Sequence, residues 1–380
     1  MNPVNSVHPL YNRRIIFVLG NLELGGAERQ ALILAKYLSE HEQAQVEVWG
    51  FNKSGPVAEI CGQHGLPTRV ILYPFTENRL SALVRVARSL RQAKPEILLP
   101  YTFGPNVVCG LVWKRTGARA CVWNQRDEGL VSFTAPSIDR AVERMSHFIA
   151  NSEAGAKFLI EKLDADAEKV TVIPNGVETV AAEMDRSAWR ERLEVDDRAF
   201  VACMVANLHL NKDHATLLRA WRKVVSEFAT NGRFALLVLA GRHDGAYESL
   251  ASLASELQIH DNVRFAGPVS DVRGLLNAVD VSVFSSRSEG CPNAVLESMA
   301  VGLPVAGSDI KGIRDVVGSN GTQFLAPVGD EESLAQVLLK MAKNPELCAR
   351  IGTENSERVK QKYDSLRMCR ETAALLVKLL

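Results

Sequence analysis

"DVSVFSSRSEGCPNAVLESMAVGLPVAGSD", residues 280–309, reads as a strand, a loop, a helix and a second strand. Such a unit joins parallel strands, because a crossover helix is the usual way for a chain to return to the same end of a sheet. Pro292 is expected at the first helical position, where proline's missing N–H costs nothing. Glu289 then falls in the loop and Glu297 on the helix, both at a strand's carboxyl edge. A carboxylate accepts hydrogen bonds from a pair of vicinal hydroxyls, the pair that a sugar or a ribose supplies. The backbone N–H groups of Gly290, Cys291, Asn293 and Ala294 around Pro292 suit a diphosphate at a helix start. Most glutamates are simply solvated. Two acids, a Gly-Pro turn and a following strand in one short stretch set this pair apart.

The same alternation runs through the chain. Strand candidates lie near 14–20, 45–50, 69–73, 96–101, 119–124, 147–151 and 169–175, and again near 199–206, 234–241, 262–267, 280–286, 303–309 and 321–327. Helical periodicity fills the gaps between them. Near-continuous apolar strands alternating with helices imply parallel sheets covered on both faces. Residues 176–197 are polar, charge-rich and without strand pattern, and read as a linker. The expectation is an α/β chain of two doubly wound, Rossmann-like domains. The first spans 1–178 and the second 179–363, with a final amphipathic helix at about 364–380 packing back on the first. Such sheets bind ligands beyond the carboxyl ends of their strands, which places the site in a cleft between the domains.

Composition narrows the function classes. At 380 residues the chain exceeds one ordinary core, and 44 basic against 44 acidic residues leave no net charge to favour nucleic acid. Seven scattered cysteines, none spaced C-x-x-C, support neither a disulfide framework nor a zinc site and fit a reducing cytoplasm. Residues 1–13 lack the apolar core of a signal peptide, and no apolar run approaches the roughly 18 residues of a membrane span. "DAD" at 164–166 sits between a helix and a strand, away from strand carboxyl ends, and reads as a solvated turn, so no metal is expected. The 79–94 segment is apolar on one face and basic elsewhere; such a helix normally packs on a core, and here its basic face also suits an anionic lipid surface.

The first strand ends in "GNLELGGAERQ", residues 20–30, where Gly25 and Gly26 open a helix. Glycines there let backbone N–H groups approach an anion. The spacing is not G-x-G-x-x-G and no acid ends the second strand, which disfavours a nicotinamide dinucleotide. A tight strand-to-helix turn explains the glycines equally well.

Over nearly its whole length the chain resembles the retaining glycosyltransferases of the GT-B fold, the large bacterial family four. The E-x7-E signature is matched by Glu289 and Glu297. "GGAER" at 25–29, "SEAGAKF" at 152–158, "VIPNGV" at 172–177, "NKD" at 211–213, "LAGRHDG" at 239–245 and "VRFAG" at 263–267 match further segments. The resemblance implies that Glu297 binds the ribose of a nucleotide sugar, that Glu289 approaches the donor sugar and that Lys212 neutralises the diphosphate. Arg242, Gly25, Gly26 and the Gly290–Ala294 amides stand beside them as donor-binding groups. Where the family carries an arginine on the diphosphate this chain has Asn207, which brings no charge. Where a catalytic-site histidine often follows the fifth strand it has Arg126, which cannot act as a base at neutral pH. The catalytic set is then Glu289, Lys212 and Arg126, and the acceptor side Glu23, Asn124 and Arg126.

The function implied is a metal-independent retaining transfer of a sugar from a UDP-linked donor to a glycan or polyprenyl-linked acceptor, in surface polysaccharide assembly at the inner face of the membrane, with no cofactor and no nucleic acid. A nucleotide-sugar epimerase of the same architecture and a non-catalytic nucleotide-sugar binding subunit are the alternatives.

Overall fold

A computed structural model describes residues 8–73, 79–129, 135–178 and 180–380; most of the polar N-terminal stretch and Thr179, at the expected domain boundary, lie outside them. The chain divides into two compact units, Met1–Gly176 with Ser365–Leu380, and Val177–Asp364.

In the first unit β1 (Arg14–Leu19), β2 (Gln45–Phe51), β3 (Thr68–Ile71), β4 (Ile97–Pro100), β5 (Ala120–Gln125), β6 (His147–Ala150) and β7 (Val170–Val172) form one sheet in the order β3-β2-β1-β4-β5-β6-β7. All its pairings are parallel. The second unit pairs β8 (Phe200–Val205), β9 (Ala235–Ala240), β10 (Val263–Gly267), β11 (Val281–Phe284), β12 (Val305–Ser308) and β13 (Leu325–Ala326) in the order β10-β9-β8-β11-β12-β13, again parallel.

Strand alternation feeds a core on each face of each sheet. Along β1, Ile16 and Val18 join one buried cluster while Ile15, Phe17 and Leu19 join another. Along β9, Ala235, Leu237 and Leu239 face one way and Leu236, Val238 and Ala240 the other. Each fully buried Leu, Ile or Phe contributes roughly 1.5–3 kcal/mol, so these central strands anchor the units. The Ser365–Lys378 helix completes the first unit: Met368, Cys369, Ala373 and Leu376, at helical spacing, enter the cluster that holds Leu34 and Leu38 of the Gly26–Glu40 helix.

Three sequence readings need correction. The 176–197 stretch is not only a linker: Arg186–Arg192 is helical, capped by the Asp185 side chain, and buries Trp189 in the second unit. Trp189 Nε1 donates to Asp271 at 2.8 Å, and Arg190 donates to the carbonyls of Asp196, Ala199 and Ala278. Part of the charge in this stretch is thus structural. Pro292 is the residue before the Asn293–Ala300 helix, in extended conformation, not its first residue. The last strand keeps only Leu325–Ala326, because a 3-10 turn over Thr322–Phe324 precedes it.

All seven cysteines are buried, and none is joined in a disulfide. Among the described residues no helix is long and apolar enough to cross a membrane. The Arg79–Ala93 helix contains no acid and exposes Leu80 (75%) and Val84, with Arg85, Arg88 and Arg91 also exposed. Arg85 reaches the carbonyl of Leu72, itself 62% exposed, so these apolar and basic groups share one surface.

Candidate functional site

In each sheet the strand order reverses direction at one place, between β1 and β4 in the first unit and between β8 and β11 in the second. Chain leaving two neighbouring strands toward opposite faces opens a crevice at their carboxyl ends, where doubly wound sheets take ligands.

In the second unit, β8 leads through Asn207 to a 3-10 turn, Leu210–Lys212, and then to the His214–Thr230 helix. β11 leads through Ser285 and Ser286 to Glu289. The two loops are stitched together. Ser285 Oγ donates to the carbonyls of Lys212 and Asp213 at 3.3 and 3.1 Å, Ser286 Oγ reaches that of Asn211 at 3.2 Å, and the Arg287 N–H reaches the same carbonyl at 3.1 Å. The Lys212 ammonium donates to Glu289 Oε1, and Ser286 Oγ donates to the same oxygen at 2.9 Å. Both charged side chains are mostly covered, 28% and 13% exposed, and the ammonium also lies 5.1 Å from the centre of the Phe284 ring. Gly312 lets the loop approach, since a Cβ there would stand 2.0 Å from the Glu289 carbonyl oxygen.

The crevice therefore holds a cation and a carboxylate joined to one another and partly open to solvent. Neighbouring groups are arranged around β8 and β9. Asn207 Oδ1 accepts from the Arg242 N–H at 3.1 Å, and the Leu208 N–H donates to the Arg242 carbonyl at 2.8 Å. Asn207 thus ties two strand ends together, a task its uncharged amide performs and a guanidinium could not, since the bond needs an acceptor. The Arg242 guanidinium stands 3.6 Å from Asp244. Gly290, Cys291 and Pro292 are buried, while Asn293, Ala294 and Glu297 are half-buried on the following helix. Among the described residues no group of three or more His, Cys, Asp or Glu is placed to hold a metal ion.

Sequence reasoning missed Ser286, Asp213 and His214. His214 opens the long helix, is almost fully buried, and neither ring nitrogen has a partner. Burial, helped by the nearby Lys212 charge, pushes its pKa down to about 4. Unfolded, the imidazole protonates near pH 6.5. Between those values the unfolded chain binds a proton that the folded one refuses, so stability falls as pH drops from about 6.5 toward 4, by on the order of 3 kcal/mol in total. Urea unfolding across that window should show a shallower pH slope in His214→Leu than in the parent; equal slopes would remove His214 as the cause.

The first unit has its own crevice. Gly25 caps the Gly26–Glu40 helix in extended conformation, and a Cβ on it would lie 2.7 Å from the Glu28 carboxylate. Glu28 is the third helical residue and its carboxylate lies beside Gly25, so an anion arriving at this helix start would meet a carboxylate. Glu23 pairs with Lys53 at 2.5 Å, and its N–H donates to Asn21 Oδ1. Asn124 is buried, exchanging bonds with Asn106 and donating to the Pro100 and Val122 carbonyls. Its Oδ1 accepts from Arg126 at 2.9 Å, and Arg126 reaches Asn175 Oδ1 at 3.2 Å. Of the three acceptor-side residues, Asn124 and Arg126 are brought together, while Glu23 bonds to its own loop and to Lys53.

Two parallel sheets with helices on both faces, ordered 3-2-1-4-5-6-7 and 3-2-1-4-5-6 when each is counted from its first strand, are the two Rossmann-like domains of a GT-B fold. The same architecture is seen in the crystal structure of HepE from Anabaena in complex with UDP-glucose, which matches with a TM-score of 0.83 at 21% identity over 96% of this chain and 100% of that one. Residues 185–358 match the model for glycosyl transferases group 1 and residues 24–180 that for glycosyltransferase family 4, and the chain belongs to this family. A D-inositol 3-phosphate glycosyltransferase of Kineococcus radiotolerans is 29% identical over 58% of this chain and 54% of its own length. An N-acetyl-alpha-D-glucosaminyl L-malate synthase of Bacillus anthracis is 27% identical over 50% of this chain and 48% of its own. The matched stretch thus spans about half the length of these curated relatives.

Proposed function

We propose that the protein is a retaining, metal-independent glycosyltransferase that moves a sugar from a UDP-linked donor to a glycan or polyprenyl-linked acceptor during surface polysaccharide assembly in the cytoplasm. The observation that carries this reading is the Lys212–Glu289 pair at the β8/β11 crossing, a cation and a carboxylate held by Ser286 where such a sheet takes its ligand. The family membership and the UDP-glucose bound by the structurally similar HepE support the donor class.

In this mechanism the second unit binds the nucleotide sugar and Lys212 turns from Glu289 to the diphosphate. The bond from the anomeric carbon to the diphosphate oxygen breaks as the acceptor oxygen bonds to the same face of that carbon. The departing phosphate oxygen takes the acceptor's proton, so no side-chain base is needed. The protein contributes orientation and a preorganised positive charge for the growing phosphate charge. Peripheral contact with an anionic leaflet falls to the surface of Leu72, Leu80, Val84, Arg85 and Arg88. Phosphatidylglycerol vesicles should sediment the parent but not Leu80→Asp/Arg88→Glu; equal sedimentation would move the contact elsewhere.

The direct test is turnover of UDP-glucose and UDP-N-acetylglucosamine with lipid-linked saccharide acceptors, with NMR of the new anomeric linkage. An α-linked product, formed undiminished in excess EDTA, is expected. Activity abolished by EDTA and restored by Mg²⁺ or Mn²⁺ would reject metal independence, and a β-linked product would reject retention. Release of UDP without any acceptor would favour the epimerase.

A further inference from the structure

Arg126 is half-buried in the first unit, one residue beyond the carboxyl end of β5. Around it stand the residues that leave neighbouring strands at the same edge: Tyr101 just after β4, Asn151 just after β6 and Asn175 shortly after β7. The guanidinium lies over the Tyr101 ring, 4.5 Å from its centre, and bonds to Asn124 Oδ1 and Asn175 Oδ1. Its backbone carbonyl accepts from Asn151 Nδ2 at 3.0 Å.

Every one of these partners is neutral. Among the described residues no carboxylate stands within ion-pairing distance of Arg126. Asp127, next in the chain, accepts at its Oδ1 from Gln125 Nε2 at 2.7 Å and from the Gly129 N–H at 2.8 Å. A guanidinium carries five N–H donors. Two bonds to side-chain oxygens account for two of them, and Nε is buried with no partner at all. A half-buried charge with neutral neighbours and idle donors is expensive to hold. If the residue only clipped β5 to β7, an uncharged amide donor would make the same bonds to Asn124 and Asn175 without that penalty.

We propose that Arg126 binds an oxyanion of the acceptor, so that the acceptor is an acidic molecule bearing a carboxylate or a phosphate. This rests on the reading of the protein as a glycosyltransferase whose first unit takes the acceptor. The planar fork of arginine matches the two oxygens of either group, and Asn124, Asn175 and Tyr101 hold the fork in place before the ligand arrives. Arg126 is then a binding residue that selects acidic acceptors over neutral ones.

The test uses the full chain saturated with UDP, which blocks phosphate binding at the donor site. Calorimetric titrations compare sodium glucuronate, inorganic phosphate and neutral methyl glucoside. The parent should bind at least one of the two anions, with affinity at least tenfold weaker in Arg126→Gln and largely kept in Arg126→Lys, while methyl glucoside binding is the same in all three. Preference for glucuronate identifies a uronic-acid acceptor and preference for phosphate a phosphorylated one; both agree with the proposal. Absence of binding by either anion to the parent, or equal anion binding in Arg126→Gln, would overturn it. If Arg126→Gln does not fold, the parent decides: its Arg126 Nε–H NMR signal should move on addition of the anion, and an unmoved signal refutes the assignment. UDP affinity on the same samples reports separately, because a parent that binds anions through Arg126 but not UDP would sink the glycosyltransferase reading alone.

Discussion

Replacing Lys212 with alanine is expected to lower turnover of a UDP-sugar by about a hundredfold or more, the loss typical of removing one preorganised charge from a developing oxyanion. Lys212 is the cation in direct contact with the Glu289 carboxylate at the β8/β11 crossing, and Asn207 brings no charge to share its task. Asn207→Ala should cost less, because that side chain accepts a bond from the Arg242 N–H and so shapes the loop. A competing explanation must be separated. Without Lys212, the 13%-exposed Glu289 carboxylate keeps only Ser286 among the two donors found on its Oε1, and the loop could rearrange. The double variant Lys212→Ala/Glu289→Gln distinguishes the two. The readout is UDP affinity, which does not depend on the Glu289 charge: if loss of phosphate stabilisation dominates, the double variant binds UDP as weakly as Lys212→Ala; if an orphaned carboxylate dominates, UDP affinity returns to that of the parent, and the diphosphate role assigned to Lys212 is wrong.

How much of this was legible in the sequence depends on the range of the interaction. All thirteen strands of the described residues fall on the apolar runs that mark them, with β2, β3 and β5 reaching one residue past theirs, since burial on both faces forces a continuous run that local reading detects. The helix at Arg186–Arg192 escaped because what stabilises it is distant: Trp189 and Arg190 are bound by Asp271 and Ala278, more than eighty residues away. The two glutamates were found through their spacing, a local feature. That Glu289 is held by Lys212 was not visible, because the contact bridges 77 residues and exists only where β8 lies beside β11. Likewise the sequence shows an arginine at position 126, but the neutrality of its surroundings comes from Asn175, 49 residues on. His214 left no signal at all, since its lack of partners is a property of packing.

The pairing of Lys212 with Glu289 also sharpens what the two glutamates should do when changed. If Glu297 accepts hydrogen bonds from the ribose, its contact is present alike in UDP, in the UDP-sugar and in the transition state, so Glu297→Gln should weaken all three equally. A charge-assisted bond of this kind is worth about 1.5–3 kcal/mol, which predicts roughly a tenfold or greater loss of UDP affinity with kcat little changed. Glu289 stands differently, because its carboxylate shares Lys212, which the diphosphate must win over. Glu289→Gln releases that ammonium, so UDP should bind as well as to the parent, or somewhat better. The transferred sugar, absent from UDP, meets Glu289 only during reaction, when charge builds at the anomeric carbon, and kcat should fall by about a hundredfold. Calorimetry with UDP beside turnover with the intact donor separates the two roles: a Glu289→Gln protein that loses UDP as severely as Glu297→Gln, or a Glu297→Gln protein that binds UDP like the parent, would show that the carboxylates do not divide the donor between them.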